Sequence, residues 1–442
     1  MTSTGTPAAP AARLCDDRLG PAAPPRSGRL PDTLPAALRF VTVESAPTDR
    51  FGAPLVGTTT AGCTWWDGEA ARRAAVGEAA EWYCGSLVPD RLRHATYDEL
   101  VAAGCAAVDP AGLALYATEQ YAAPGFPFSP FTPDLPVGWV PGTDLDGGGP
   151  IWIPASLVYL GYGSGPTFGV PRVNLPVNAG IAAGPRLADA QRSALREVVE
   201  RDALAVAWHA GADLPPVDLP ERWRALLAGP RGALAARAHL VPNRFGAMVL
   251  LAVLHDRSAG VLGVGAAMRP DAVDAALKAF AEAAMSLAVA DDLARPDSAV
   301  LPRLLAPRGA LRPWRGDRAY RDAYRADLRD VVDISCHVQY YLDPRSQRAL
   351  HARLDASGAA PVALDALPAT ADADVLVRDA GLRAVAVELT TPDVAAAGLR
   401  VTRVVVPGTR STAPAALPFL GGLSTPDGSP VTAPVLDPVP HA

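Results

Sequence analysis

Two stretches of the sequence place pairs of glutamates three residues apart within segments that are otherwise rich in Ala, Leu and Val. The first, EAARRAAVGEAAEWYCG, contains Glu78 and Glu81, and the second, DAQRSALREVVERDALAVAWH, contains Glu197 and Glu200 followed by Arg201. Residues three or four apart share one face of an α-helix. Each pair is therefore predicted to present two carboxylates from one face of a largely apolar, buried helix.

Carboxylates grouped in this way indicate a cation site. A single helix of this kind is more typical of an exposed stripe with local ion pairs, but the second copy favours a lined cavity. Aligning the two segments on their first glutamate also places Ala75 on Ala194 and Val76 on Leu195. Buried like charges need a compensating cation, because desolvation and repulsion both disfavour ionisation. Hard oxygen ligands suit Mg²⁺, which usually shares its ligand shell with phosphates, so the pattern predicts a magnesium-nucleotide site.

Other polar residues are predicted to face the same cavity. Asp189 and Ser193 precede Glu197 in steps of four and share its side of the helix. A third apolar helix, DAALKAFAEAAMSLAVA, carries Lys278 and Glu282 four residues apart. The three helices together would supply both carboxylates and cations to one site.

Familiar catalytic motifs do not account for this site. The sequence has no GxxxxGK[ST] loop, no kinase motif set, no GxSxG elbow and no HExxH spacing. His337, in SCHVQYYLDP, is interpreted as a structural residue with satisfied hydrogen bonds, because a lone His beside apolar residues is more often structural than catalytic.

The elements that must position these residues alternate in mixed order, which predicts an α+β or α/β fold. A hairpin is predicted from AMVLLAVLHD through RSAG to VLGVGAAM. Thr96 and Glu99 have capping-box spacing and predict a short helix. Residues 124–150 are rich in Pro and Gly but contain aromatic residues, and we interpret them as an ordered, irregular connection. Residues 1–38 predict a flexible Ala/Pro-rich arm, and residues 39–442 a single domain.

Composition limits the partners and the cellular location. The 442-residue chain has a net charge of −6 and no block of Lys or Arg, which argues against a nucleic-acid or anionic membrane partner. The longest apolar stretch, AMVLLAVL, is too short to span a bilayer, and no export signal is recognisable. The five cysteines form no CxxC pair. A cytoplasmic protein is predicted.

The sequence resembles the YcaO family. The segment NAGIAAGPRLADAQRSALREVVERDA is similar to that family's NG-x-A-[AS]-G lead-in and its helix ending ExxER, and GEAAEWY resembles the earlier ExxER helix. The stretches EQYAAPGFPFSPFTPDLPVGWVPGTDL and VELTTPDVAAAGLRVTRVVVPG resemble the connection between these helices and a late strand and helix. The resemblance covers about residues 40–440.

This resemblance implies a YcaO fold, with repeated ExxE helices packed on β-sheets, that binds ATP and Mg²⁺ without a P-loop. The metal ligands that it implies are Glu78, Glu81, Glu197 and Glu200. The nucleotide contacts that it implies are these four glutamates together with Asp189, Ser193, Arg201, Lys278 and Glu282. Lys278 stands where the family has Arg, so the charge is kept but the bidentate geometry is lost.

Two positions depart from the family pattern. Trp82 occupies the Arg position of the first ExxER helix. At the C-terminus, DPVPHA keeps the proline spacing of the PxPxP ending of azoline-forming members at Pro438 and Pro440, but Ala442 takes the last place.

The function implied by the resemblance is ATP-dependent cyclodehydration of Cys, Ser or Thr in a ribosomally made precursor peptide. One alternative uses the same activation with sulfide or an amine as nucleophile and gives a thioamide or amidine. A second alternative, supported by Trp82 and the altered tail, is a catalytically degenerate scaffold that binds a peptide or partner. The resemblance also implies a separate leader-binding, ThiF-like partner protein, because no leader-binding domain is recognisable in the chain, and a homodimer is compatible with it.

Overall fold

The computed structural model describes residues 13–441 except 17–19, 47, 49–58, 164–166, 168 and 299–309. The α-helices within these ranges are α1 (Gly68–Ser86), α2 (Tyr97–Ala102), α3 (Thr118–Tyr121), α4 (Leu187–His209), α5 (Glu221–Leu227), α6 (Ala272–Leu293), α7 (Tyr320–Ala323), α8 (Ser335–Tyr340), α9 (Pro344–Asp355), α10 (Ala373–Asp379) and α11 (Pro392–Ala396). The strands are β1 (Arg26–Ser27), β2 (Leu38–Glu44), β3 (Thr59–Trp65), β4 (Arg93–Ala95), β5 (Val137–Asp144), β6 (Pro150–Pro154), β7 (Ile181–Gly184), β8 (Pro216–Asp218), β9 (Leu234–Leu240), β10 (Val249–Asp256), β11 (Val261–Met268), β12 (Val362–Ala363), β13 (Val385–Glu388) and β14 (Arg400–Val405). This interspersed order confirms the predicted α+β class.

The strands of the described residues form three sheets. The first has the order β1-β2-β3, and all its pairs are antiparallel. The second has the order β11-β10-β9-β8-β12, in which the β8 and β12 pair is parallel. The third has the antiparallel order β4-β5-β13-β14-β7, and β6 pairs with β5. The largest hydrophobic core includes residues of the second sheet, α4 and α6, with Leu250, Phe280 and Trp208 fully buried.

Three long helices each follow a strand and pack on a sheet. Helix α1 follows β3 and packs on β2 and β3, α4 follows β7 and packs on β7 and β14, and α6 follows β11 and packs on β10 and β11. Small residues allow this close packing. A Cβ atom at Gly263 of β11 would lie 2.1 Å from the carbonyl oxygen of Ala283 in α6, so only glycine permits that approach. The repeated strand-helix units place the three polar helix faces around one space.

The described part of residues 1–38, for which a flexible arm was predicted, packs on the domain. Strand β1 pairs with β2, and the side chains of Ala22 and Leu34 are buried. Ala22 also forms an isolated bridge with Ser45. A composition rich in Ala and Pro does not reveal such packing, because a short strand added to an existing sheet needs no periodic pattern of its own. The packed region therefore begins before residue 39, while residues 1–12 and 17–19 lie outside the described residues.

The Pro/Gly-rich stretch over residues 124–150 is ordered, as predicted, but it also contains strand β5. The ring centroids of Phe126 and Phe128 lie 4.9 and 5.1 Å from the ring centroid of Tyr116. Pro141 lies within β5 and opposes Trp152 of β6. Proline normally argues against a strand interior, and this is why the sequence did not predict β5.

Two local predictions are confirmed. Strands β10 and β11 form the predicted antiparallel hairpin. Thr96 Oγ1 accepts a hydrogen bond from the Glu99 backbone, and the Glu99 carboxylate accepts one from the Thr96 N–H, so α2 begins with a capping box. Among the described residues, no helix combines the length and apolar character needed to cross a membrane.

Candidate active site

A cavity of about 1650 Å³ lies where α1, α4 and α6 meet. Eight of the nine residues predicted for the site line it: Glu78, Glu81, Ser193, Glu197, Glu200, Arg201, Lys278 and Glu282. The polar faces of the three helices therefore border a shared space.

Each carboxylate of the ExxE pair on α1 is fixed by a backbone amide of a strand. Glu78 Oε2 accepts a hydrogen bond of 2.9 Å from the Ala61 N–H in β3. Glu81 Oε1 accepts one of 2.7 Å from the Ala183 N–H in β7. The first glutamate thus binds the strand before its own helix, and the second binds the strand before the next helix.

The pair on α4 repeats this arrangement one unit later. Glu197 Oε2 accepts a hydrogen bond of 3.0 Å from the Gly180 N–H, directly before β7. Glu200 Oε2 accepts one of 2.9 Å from the Met268 N–H, at the end of β11 and before α6. Because a carboxylate has two oxygens with about four acceptor positions, each glutamate keeps acceptor capacity for a further ligand.

Two cations offset part of the negative charge. Arg201 Nη2 lies 3.7 Å from Glu197 Oε1, and Arg201 Nε lies 3.6 Å from Glu200 Oε1. Lys278 Nζ lies 2.8 Å from Glu282 Oε1, so these two predicted site residues form an ion pair on α6. Although burial acts in the opposite direction, Lys278 holds the pKa of Glu282 below its usual value.

Burial makes the remaining carboxyls hard to ionise. Burial, followed by the charge of Glu197, raises the pKa of Glu81 to about 8. Burial and the neighbouring Glu282 raise the pKa of Glu200 to about 7. Burial also raises the pKa values of Glu78 and Glu197. A divalent cation would compensate these charges, so the residues present fit Mg²⁺.

His441 belongs to the same cluster and was missed by the sequence prediction. Its Nδ1 lies 2.6 Å from Arg201 Nη1. Since a guanidinium group only donates, Nδ1 is the acceptor, and the proton of the neutral ring lies on Nε2, which is 3.2 Å from Glu282 Oε2. His441 therefore connects α4 to α6 through hydrogen bonds. The proline spacing of the tail was the one sequence signal that pointed to this end of the chain.

Side-chain donors fix the tail that carries His441. Three of them bind successive backbone carbonyls: Trp208 binds Asp437, Tyr341 binds Pro438 and His337 binds Val439, at 2.9, 2.7 and 2.9 Å. The other ring nitrogen of His337 accepts from the Ala415 N–H at 3.0 Å. Both nitrogens of His337 are satisfied, which confirms its structural interpretation.

Asp189 is the predicted site residue that does not line the cavity. Its carboxylate accepts from Arg186 Nε at 2.7 Å and lies 3.6 Å from Arg192 Nη1. These local ion pairs occupy the Asp189 carboxylate. Trp82, at the family's Arg position, contributes a side-chain hydrogen bond to Glu78 that lowers the pKa of that carboxyl against the larger effect of burial.

The chain matches the model of the YcaO family, described as an ATP- and Mg²⁺-binding cyclodehydratase, over residues 67–410. This protein is a member of the YcaO family. ATP and Mg²⁺ are accordingly its cofactors. A comparison with curated proteins found no match to this YcaO chain.

Solved structures share the YcaO fold at low sequence identity. A heterocyclase in complex with substrate and cofactor matches with a TM-score of 0.61 and 19% identity, over 91% of this chain and 52% of its own. YcaO from Methanopyrus kandleri bound with AMPPCP and Mg²⁺ gives a TM-score of 0.57 and 19% identity, over 88% and 86%. The E. coli microcin synthetase McbBCD complex gives 0.55 and 13%, over 87% and 87%. This chain spans about half the length of the first heterocyclase.

Proposed function

We propose that this YcaO protein uses Mg-ATP to activate a backbone amide of a ribosomally made precursor peptide and cyclodehydrates Cys, Ser or Thr to an azoline. The carboxylate cluster is the observation that supports the proposal most. Four glutamates on two repeated helices each have one oxygen held by a backbone amide in a strand or directly before one, and all four line one cavity with Arg201. Ligands fixed in this way are preorganised for a cation and for phosphate charge.

The site residues divide into proposed Mg²⁺ ligands and proposed phosphate contacts. We assign Glu78, Glu81, Glu197 and Glu200 to Mg²⁺, which would neutralise phosphate charge when bound. Arg201 and the Lys278–Glu282 pair would face the phosphates, and Ser193 would contact the nucleotide from the cavity wall. Asp189 would reach the nucleotide only after releasing Arg186. The cavity of about 1650 Å³ exceeds the roughly 300–1,000 Å³ of a typical small-molecule site, which leaves room for peptide beside nucleotide.

The proposed reaction balances as one dehydration per ATP. The side-chain sulfur or oxygen attacks the preceding amide carbon and loses its proton, and the resulting oxyanion takes the γ-phosphoryl group with release of ADP. Loss of the amide proton and cleavage of the C–O bond then release phosphate and leave the C=N bond of the ring. The peptide loses the elements of water, and its carbonyl oxygen leaves in the phosphate. Arg201 and Lys278 would offset the developing charge.

We also propose that a separate protein captures the leader of the precursor. The McbBCD structure, which shares this fold, is a complex of several proteins. A bound leader would raise the local concentration of the core peptide at the cavity.

The experiment that tests the proposal follows precursor mass after incubation with ATP, Mg²⁺ and the partner encoded nearby. We expect loss of one water per ring with the parental chain and with Glu69→Gln, an exposed glutamate on α1, and no loss with Glu200→Gln. Replacement of oxygen by sulfur, when sulfide is supplied, would instead support the thioamide alternative. An unchanged precursor mass with every nucleophile would contradict enzymatic activity and support the scaffold alternative.

A further inference from the structure

A second, smaller cavity of about 80 Å³ adjoins the candidate active site. Its walls come from α4, from β14 with the turn that follows it, and from residues 113–115 and 174–179. Arg201 is the one described residue that lines both cavities. The volume is several times the roughly 10–15 Å³ that holds a single water, so a group of about five heavy atoms fits.

Most residues that line this cavity are apolar, but the charged ones are all basic, whereas acidic residues outnumber basic ones around the larger cavity. Arg201, Arg403 and Arg410 all line it, and no Asp or Glu is among its described lining residues. Two carboxylates of α4 that do not line this cavity raise the pKa values of its arginines: Glu197 acts on Arg403, and Asp202 acts on Arg410. Burial lowers the pKa of Arg403 to about 10, which still leaves this guanidinium charged at neutral pH. Three guanidinium groups around a small space suit an oxyanion.

Several residues that line this cavity carry buried polar atoms without a hydrogen-bond partner, although one of these atoms, Arg201 Nε, lies 3.6 Å from Glu200 Oε1. Nine buried side-chain nitrogen or oxygen atoms of the described residues have no hydrogen-bond partner. Four of the nine belong to residues that line this cavity, namely the Nε atoms of Arg201, Arg403 and Arg410 and the Oδ1 atom of Asn174. A buried polar group without a hydrogen-bond partner destabilises a folded protein, so such a concentration calls for a ligand or an ion.

The backbone holds these side chains in place. Arg403 Nη1 donates to the Val177 carbonyl at 2.7 Å, and Arg410 Nη2 donates to the Gly421 carbonyl. Asn174 Nδ2 donates to the Ser156 and Leu175 carbonyls at 3.0 and 3.1 Å, which assigns its free oxygen as an acceptor. The cavity thus presents fixed cationic donors and one acceptor.

We propose that this cavity binds a small oxyanion, and that its ligand is hydrogen phosphate. Phosphate offers several oxygens to the guanidinium groups, and its P–OH can donate to Asn174 Oδ1. A carboxylate of the peptide is the other source of an oxyanion, but it only accepts hydrogen bonds and would leave Oδ1 unpaired. The assignment of phosphate rests on the proposed function, in which phosphate is released beside Arg201.

The test measures binding of inorganic phosphate by calorimetry to the chain saturated with AMPPCP and Mg²⁺, so that the larger cavity is occupied. Acetate is titrated in parallel as the carboxylate probe. Arg403→Gln and Arg410→Gln each remove one cation, and Arg378→Gln, an exposed arginine paired with Asp146, is the matched control. We expect each cavity variant to bind phosphate roughly tenfold or more weakly and the control to bind as the parental chain does.

Phosphate binding is measured without turnover. The oxyanion site can therefore be refuted while peptide dehydration is observed, and it can be supported while dehydration is absent. Acetate that competes with phosphate at equal concentration would support the oxyanion site and assign it to a peptide carboxylate. Equal phosphate affinity in the parental chain and both cavity variants, or no binding of either anion, would overturn the proposal. If a variant does not fold, crystals of the parental chain are soaked in selenate instead, and its anomalous scattering locates the bound anion. An anomalous peak between Arg403 and Arg410 supports the site, and none overturns it.

Discussion

Among the residues of the site, Glu81 links protonation to stability. Its pKa rises from the ordinary value of 4.5 to about 8 on folding. Between these values the folded state holds a proton that the unfolded state has lost, so the stability of the cation-free protein falls as pH rises through this window. The full loss is reached above pH 8. Binding of a divalent cation would offset this loss of stability by favouring the ionised carboxylate.

Glu81→Gln should therefore stabilise the cation-free chain at pH 8.5 by roughly 1–3 kcal/mol, and much less at pH 4.5. Glutamine keeps an oxygen that can accept from Ala183 N–H. Denaturant unfolding without Mg²⁺ at the two pH values measures the difference. Glu69→Gln, which loses only an exposed pair with Arg72, should shift stability by no more than about 0.5 kcal/mol. A Glu81→Gln chain that is no more stable than the parent at pH 8.5 would show that this carboxyl is ionised without a cation.

Trp82 separates an active enzyme from a degenerate scaffold. We expect the parental chain to turn over ATP with its peptide, and Trp82→Phe, which removes the hydrogen bond to Glu78, to retain activity within about tenfold. Trp82→Arg would add a cation beside Glu78 and lower the pKa of that carboxyl. ATP hydrolysis rates of the three chains are the measurement. Turnover by Trp82→Arg alone, with an inert parent, would support the scaffold.

Residue types and spacing led to nine predicted site residues, of which eight line the cavity, because helix geometry fixes which side chains share a face. Their roles in binding are still predictions. Two residues mark the limit. Asp189 has the right spacing, but Arg186 and Arg192 pair with it locally. His441 contacts Arg201 across a sequence separation of 240 residues, and no periodic pattern reports such a contact.

At the scale of elements, the repeat is a chain of strand-helix units linked by glutamates. The first glutamate of α1 and of α4 binds the backbone at the strand of its own unit, and the second binds the strand of the next unit. The repeat itself was visible in the sequence as two ExxE helices. Which strand amides they bind was not, because a pairing between a helix and a distant strand depends on sheet order.

The C-terminal tail acts as an element of the site through His441. His441→Ala would leave Arg201 and Glu282 without their shared partner, and we expect ATP turnover to fall about tenfold or more. His441→Gln can accept from Arg201 and donate to Glu282, so it should recover part of the rate. Leu436→Ala, an exposed position in the same tail, is the control. Steady-state ATP hydrolysis measures the effect, and a parental rate in His441→Ala would remove the tail from the site.

At the scale of the whole molecule, Arg201 lines both the acidic larger cavity and the smaller cavity, whose charged lining residues are all arginines, within a chain of net charge −6. The sequence predicted the mixed fold because alternating helices and strands leave a clear pattern. It did not predict the packed N-terminal strand or β5, since both lie in segments rich in Pro, Gly or Ala, and tertiary pairing decides their conformation.

Leader capture by a partner should determine how fast the protein dehydrates a full-length precursor. Alone, the chain should process the precursor weakly, because the core peptide is present only at its free concentration. Adding the leader-binding partner should raise the rate of water loss by 10²-fold or more. Mass spectrometry with and without the partner, and with a leaderless peptide as control, gives the comparison. Efficient leader-dependent dehydration by the chain alone would exclude a separate leader-binding partner.

The most direct test of the central claim is calorimetric titration of AMPPCP with and without Mg²⁺. If the glutamate cluster is the magnesium-nucleotide site, Glu197→Gln and Glu200→Gln should weaken Mg²⁺-dependent binding at least about tenfold and leave thermal stability unchanged or higher. Glu69→Gln should bind as the parental chain does, and omission of Mg²⁺ should make the parental chain resemble the two variants. Equal Mg²⁺-dependent affinity in the parental chain and in both variants would contradict the account.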